Sequence, residues 1–98
     1  MSNPCNNEIY VYSKDENNLN YVEKFISNNF WGGDLFNSSD NYIEMQFESR
    51  WTFPDDLMLE MTNNLPNKDD IYIRCMSIEL GNYYHELWIF EDNEWRSV

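Results

Sequence analysis

The side chains able to do chemistry are few in kind. The chain has one histidine, His85, and two cysteines, Cys5 and Cys75. General acid-base catalysis needs a proton carrier held in a cleft with a displaced pKa. His85 lies in a stretch that reads as a strand, where an imidazole is more often a surface or hydrogen-bonded residue than a base. The cysteines lack Cys-x-x-Cys spacing, which argues against zinc. Cys75 alternates with Ile71 and Ile73 and reads as a small core residue. The pair could close one disulfide, but reduced thiols of a cytosolic protein are the plainer reading. No Ser-His-Asp set with an oxyanion signature is identifiable, and Gly32-Gly33 fits neither a nucleophile elbow nor a P-loop. Asp69-Asp70 and Glu91-Asp92-x-Glu94 could hold calcium weakly, yet neither has EF-hand spacing. The expectation is a protein without catalytic residues, resident metal or cofactor, and not an enzyme.

What remains is aromatic and acidic, and its placement depends on the elements. Residues 8–13 alternate as a strand, with Ile9 and Val11 on one face and Tyr10 and Tyr12 on the other. Asn17 or Asn18 can cap a helix running to about residue 29, with Leu19, Val22, Phe25 and Ile26 on one stripe. Trp31-Gly32-Gly33 breaks it; residues 34–37 allow a short strand and residues 38–41 a turn. Ile43, Met45 and Phe47 alternate with Glu44, Gln46 and Glu48, the clearest half-buried strand in the chain. Thr52-Phe53-Pro54-Asp55 has capping-box spacing ahead of a second helix over about 54–64, whose core side offers Leu57, Met58 and Met61, with Leu65 just beyond. Pro66 forbids continuation. Strands over about 70–79 and 83–91 follow, joined at Gly81-Asn82 in a type II′ turn. The doubled asparagines (Asn6-Asn7, Asn17-Asn18, Asn28-Asn29, Asn63-Asn64) read as caps and turns. This order predicts an α+β, ferredoxin-like two-layer sandwich. Its sheet would be mainly antiparallel and four- to five-stranded, with two helices on one face, in a single domain over residues 1–98.

If the apolar set faces the helices, the opposite face of the sheet receives Tyr10, Tyr12, Tyr42, Glu44, Gln46, Glu48, Tyr72 and Arg74. RNA-recognition domains stack bases on aromatics in such a place with the help of positive charge. Here glutamates interleave with the tyrosines and would repel a phosphate chain. Tyrosine gives contact area at low entropy cost, so tyrosine among glutamate suits a protein-binding face with a basic partner. Trp88 joins the expected partner-binding set, although the register of Trp88-Ile89-Phe90 allows either face. The same tyrosines could instead cover the sheet or pack in a homodimer.

The charge agrees in sign. Eighteen acidic against six basic residues give 98 residues a net charge of −12 and an isoelectric point near 4.1. Direct binding to DNA or RNA backbone needs the opposite balance. A duplex segment as long as such a domain, about 32 Å, carries about 19 phosphates, so the charge density permits mimicry of a nucleic acid. A merely solubilising acidic surface is equally compatible. Hydrophobic residues at 42% and aromatics at 17% exclude a disordered chain. The short apolar runs predict no membrane span. Met1-Ser2-Asn3-Pro4 leads into polar sequence and predicts no secretory signal, hence a cytoplasmic protein.

Pro4-Cys5-x-Asn7-x-Ile9-x-Val11, Phe47-x-x-x-Trp51-x-x-Pro54 with Leu65-Pro66, and Glu79-x-Gly81 followed by Tyr84 together resemble the YubB-type ferredoxin-like domains of plasmid and phage proteins. The chain departs from that family near its end, where Trp88, Phe90 and an acidic tail replace glycine. The resemblance implies the fold and a mobile-element setting; it carries no settled activity and no catalytic residues.

The leading expectation is therefore a non-enzymatic acidic interaction protein, phage- or plasmid-encoded. It would inhibit a basic nucleic-acid-handling or host-defence protein by occluding its surface, with an immunity protein for a toxic nuclease as a related form. A small-ligand or nucleotide-binding domain using the open face or the loop around Trp31, and a structural module that dimerises through an edge strand, are the alternatives.

Overall fold

Strict alternation builds the centre of the sheet. Cys5, Asn7, Ile9 and Val11 point one way and are buried, while residues between them face out. In the computed structural model, which describes residues 4–98, these form β1 (Pro4–Tyr12). The chain continues as α1 (Glu16–Asn29), β2 (Trp31–Ser38), β3 (Tyr42–Arg50), α2 (Asp55–Asn63), β4 (Tyr72–Glu79), a 3-10 turn (Leu80–Asn82), β5 (Tyr84–Glu91) and β6 (Glu94–Ser97). The six strands make one open sheet in the order β2-β3-β1-β4-β5-β6, every neighbouring pair antiparallel. Leu19, Val22 and Ile26 of α1 and Met58 and Met61 of α2 join the inward strand residues in one buried cluster, so both helices lie against the same face. The reading of Met1-Ser2-Asn3 as free of a leader lies outside the described residues.

Five expectations need correction. Asp15, not Asn17 or Asn18, caps α1: its carboxylate accepts from the Asn17 N–H at 3.0 Å. Asn18 is instead fully buried. Its side-chain amide donates to Asn67 O at 2.8 Å and Asp70 O at 3.0 Å and accepts from the Asn67 N–H at 2.9 Å, tying α1 to the loop ahead of β4. Asn7 is likewise a buried residue in mid-strand. Before α2 there is no capping box, because Pro54 occupies the cap and makes no side-chain bond. The chain turns tightly twice there. The Thr52 N–H reaches Arg50 O at 2.7 Å over Trp51 at φ 68°, and the Asp55 N–H reaches Phe53 O at 2.9 Å over Pro54. Both have the form of γ-turns, and a tryptophan in the left-handed region is a strained placement.

The turn between β4 and β5 is also longer than a two-residue type II′ turn. Pairing ends at Glu79↔Tyr84, and Leu80, Gly81, Asn82 and Tyr83 form the connection, with Tyr83 at φ 56°. Finally, the sheet has six strands, not four to five. Asp92 (φ 54°) and Asn93 (φ 65°) make a two-residue turn of the I′ kind, which both side chains tolerate. The residues expected to be an acidic tail return as β6. Trp95 fixes that strand: its ring lies 5.3 Å from both Phe53 and Phe90, and its Nε1–H donates to Thr62 Oγ1 of α2 at 3.1 Å.

The inward face is apolar at one end and polar at the other. Asn7 donates to Ser49 Oγ at 2.9 Å and to Cys5 O at 3.2 Å, and accepts from the Ser77 hydroxyl at 2.6 Å. Among the described residues no buried side-chain nitrogen or oxygen lacks a partner. Cys5 and Cys75 are free thiols in this region. Burial raises both, Cys75 to about 12, so neither is a nucleophile near neutral pH.

Candidate partner-binding face

The helices leave the other side of the sheet bare. Register decides which side chains share it. Across β3, β1 and β4 the row Tyr42–Tyr12–Tyr72 is followed by Glu44–Tyr10–Arg74, then by Gln46–Glu8–Met76. Tyr10 is the hub. Its ring lies 5.6 Å from Tyr42 in a stacked arrangement and 6.4 Å from Tyr72 edge-on, and the Arg74 guanidinium sits 4.4 Å above it. Such contacts hold flat side chains in place beforehand, lowering the entropy lost when a partner covers them. Tyr12 remains 37% exposed and the other three are half-buried, chiefly by one another.

Tyr10, Tyr12, Tyr42, Glu44, Gln46, Glu48 and Tyr72 are thus brought together on one uncovered surface. Trp88 is not among them. It pairs with Cys75 on the inward side, stacks on Phe53 at 4.7 Å with 8° between planes, and donates to Glu86 at 3.3 Å. Antiparallel pairing with β4 sets this register, and the next residues, Leu87 and Ile89, face outward. The apolar run of β5 supplies both faces, so alternation alone does not orient it.

Two features of this face go beyond the sequence expectation. One is a carboxylate margin on β2, β3 and β1, where Asp34 and Glu8 flank Gln46 and join Glu44 and Glu48. Asn37 donates to Glu44 at 3.0 Å and Gln46 to Glu8 at 3.4 Å, which aligns these acids along the strands. The other is an apolar half on β4 and β5, with Met76 against Leu87 and Ile78 against His85. Alternation in β4 carries a signal for Met76 and Ile78; Leu87 and Ile89 depend on the register of β5. His85 is exposed there.

Charge is not gathered on this face. Glu8, Asp34, Glu44, Glu48, Glu91 and Glu94 face outward from the sheet together with Arg50, Arg74 and Arg96, so six of eighteen acids and three of six bases lie here. Of the remainder, Glu79 and Glu86 lie on the inward side of β4 and β5, and the others lie on the helices and loops. The expectation of a concentrated acidic sheet is corrected to a local acidic margin beside the tyrosines. One ion pair is formed among the described residues, Arg96 to Glu91 at 2.6 Å. On the other side of the sheet, the Tyr84 hydroxyl donates to Glu86 at 2.5 Å and holds its carboxyl below the usual range, helped by Trp88 and Ser97 against partial desolvation. Among the described residues no group of three or more His, Cys, Asp or Glu is placed to hold a metal ion, and no helix is long and apolar enough to cross a membrane.

Comparisons with protein families, with curated proteins and with solved structures return no match.

Proposed function

We propose that this chain is a non-enzymatic interaction protein whose bare sheet face docks on a basic protein surface and occludes it. The observation that carries this reading is the contiguous set Tyr10, Tyr12, Tyr42 and Tyr72, uncovered by any element and bordered by Glu8 and Glu44, with Glu48 one row further along β3. Tyrosines supply the desolvated centre of such an interface, and carboxylates at its margin pair with arginine and lysine of the partner. A partner that normally holds nucleic acid has the required basic surface. With acids spread around the molecule, the reading rests on the tyrosines first and on phosphate mimicry least. The edges of the sheet favour self-assembly less. β2 is interrupted by two register shifts and β6 has four residues bearing Glu94 and Arg96, both devices that blunt strand pairing.

The fold belongs to the same proposal. The interleaved crossovers β1-α1-β2 and β3-α2-β4, with order β2-β3-β1-β4, have the connectivity of a ferredoxin-like two-layer sandwich, to which β5 and β6 are appended. This connectivity is compatible with the resemblance to YubB-type domains, and the mobile-element setting rests on that resemblance alone. Unpaired buried thiols suit a reducing, cytosolic compartment.

Affinity capture from the host at low salt, with wild type and a Tyr10→Ala/Tyr42→Ala variant side by side, tests the reading. A basic protein retained by wild type, lost by the folded variant and released at high salt is the expected result. Equal retention by both proteins overturns it.

A further inference from the structure

The Trp31 end of the sheet carries a site of its own. Trp31 opens β2 directly across from Glu48 of β3 and is 66% exposed. Beyond it, β2, the end of β3 and the start of α2 enclose a cleft of about 540 Å³ whose walls include Phe30, Trp31, Glu48, Arg50, Asp55 and Asp56. The Arg50 guanidinium lies 5.5 Å from the centre of the Trp31 ring. This indole therefore already accepts a planar cation on its face. Gly32, at φ 65°, leaves the Glu48 carboxylate beside the backbone, where an added Cβ would lie 3.6 Å from its oxygen. Glu48, Asp55 and Asp56 form no ion pair with Arg50 within 4 Å among the described residues. Three carboxylates against one arginine leave the cleft with a formal charge of −2 beside a large exposed aromatic ring.

We propose that this cleft receives an arginine side chain of the basic partner. The methylenes and guanidinium would lie on Trp31, with the guanidinium N–H groups donating to Glu48 and the acids of α2. The proposal rests on the reading of the chain as a binder of basic proteins and assigns part of that recognition to a defined pocket. Arginine fits better than lysine because a planar guanidinium both stacks on indole and forks onto a carboxylate, whereas an ammonium is a strongly hydrated point charge. A free anion is disfavoured by the same three acids. A second copy of this chain is disfavoured by its own net charge of −12.

The isolated protein suffices for the test. Protein labelled with ¹⁵N is titrated with acetyl-Gly-Arg-Gly-amide and, separately, with acetyl-Gly-Lys-Gly-amide, following the four indole N–H signals assigned by single Trp→Phe variants. A saturable shift at Trp31, with the arginine probe about two- to fivefold tighter than the lysine probe, is expected from an exposed cation–π contact. Arg50→Gln removes the resident cation and should tighten the arginine probe; Glu48→Gln/Asp56→Asn should weaken it. Indistinguishable probes, no movement at Trp31, or weaker binding in Arg50→Gln overturns the assignment. If the probe ignores Trp31 while partner capture still depends on Tyr10 and Tyr42, the cleft alone falls. If the probe binds at Trp31 while capture does not depend on those tyrosines, the sheet-face reading falls and the cleft stands.

Discussion

The buried polar end of the inward face holds cysteine, serine, asparagine and glutamate side chains that together resemble reactive machinery, and a double-mutant cycle distinguishes structure from chemistry there. Asn7 is 1% exposed. Truncation in Asn7→Ala deletes its bonds to Ser49, Cys5 and Ser77 and leaves the Ser77 hydroxyl in a buried site without its 2.6 Å acceptor. Two well-formed hydrogen bonds at about 1 kcal/mol each, with about 1–2 kcal/mol for the stranded hydroxyl, give a loss of about 3–4 kcal/mol. At roughly 4–8 °C per kcal/mol for a domain of this size, the melting temperature falls by about 12–30 °C. Ser77→Ala in the same chain removes the stranded hydroxyl, so the double variant should be about 1–2 kcal/mol more stable than the sum of the single losses predicts. Urea denaturation followed by tryptophan fluorescence measures all four corners. Strictly additive losses, or a loss below about 1 kcal/mol for Asn7→Ala, would refute the network. Folded single variants should also bind a captured partner as wild type does, because no atom of this cluster reaches the outer face.

Three further predictions follow from other contacts. Glu86 has its carboxyl pKa lowered mainly by the Tyr84 hydroxyl, so its stabilisation is complete above the unfolded carboxylate pKa and disappears as pH falls through the folded value. Tyr84→Phe should therefore lose about 1–3 kcal/mol at pH 7 and show a shallower acid-side decline; identical stability-versus-pH curves would contradict this. Trp95→Ala should cost about 3–5 kcal/mol by removing the ring between Phe53 and Phe90 and the bond to Thr62, with Trp95→Phe much milder; calorimetry showing a cost below about 1 kcal/mol for Trp95→Ala would remove β6 from the cooperative unit. Glu44→Gln/Glu48→Gln and Glu16→Gln/Glu23→Gln each remove two charges, yet the first pair should slow association with a captured partner more than the second in stopped-flow measurements. Equal slowing would mean that diffuse attraction, not this face, governs encounter.

Much of the frame was legible because its signals are periodic. Ile43-Glu44-Met45-Gln46-Phe47-Glu48 gives strand, face and burial at once, and Leu19, Val22 and Ile26 orient α1. The tyrosine face follows from the same alternation. Elsewhere, tertiary partners override local preference. Asn18 resembles a cap and becomes a buried clasp because Asn67 and Asp70 arrive from far along the chain. Thr52 has capping spacing, but the two tight turns at Trp51 and Pro54 carry it away from the helix start. β6 is too short to show a period, and its Asp92-Asn93 turn lacks the usual glycine. Trp88 is ambiguous in the sequence because its neighbours are apolar on both sides of the strand, so only pairing with β4 orients it. The cleft at Trp31 could not be seen in advance: Trp31, Glu48 and Asp56 meet only once β2, β3 and α2 have docked.

The central claim is that the bare sheet face is the docking surface, and the seven tyrosines provide an internal comparison. Protein labelled with ¹³C in its tyrosine rings, mixed with the captured basic partner, should show shifts at Tyr10, Tyr12, Tyr42 and Tyr72 while Tyr21 on α1 and Tyr83 and Tyr84 beyond β4 hold their positions. Shifts at Tyr21, Tyr83 or Tyr84 with the four face tyrosines unmoved would contradict it.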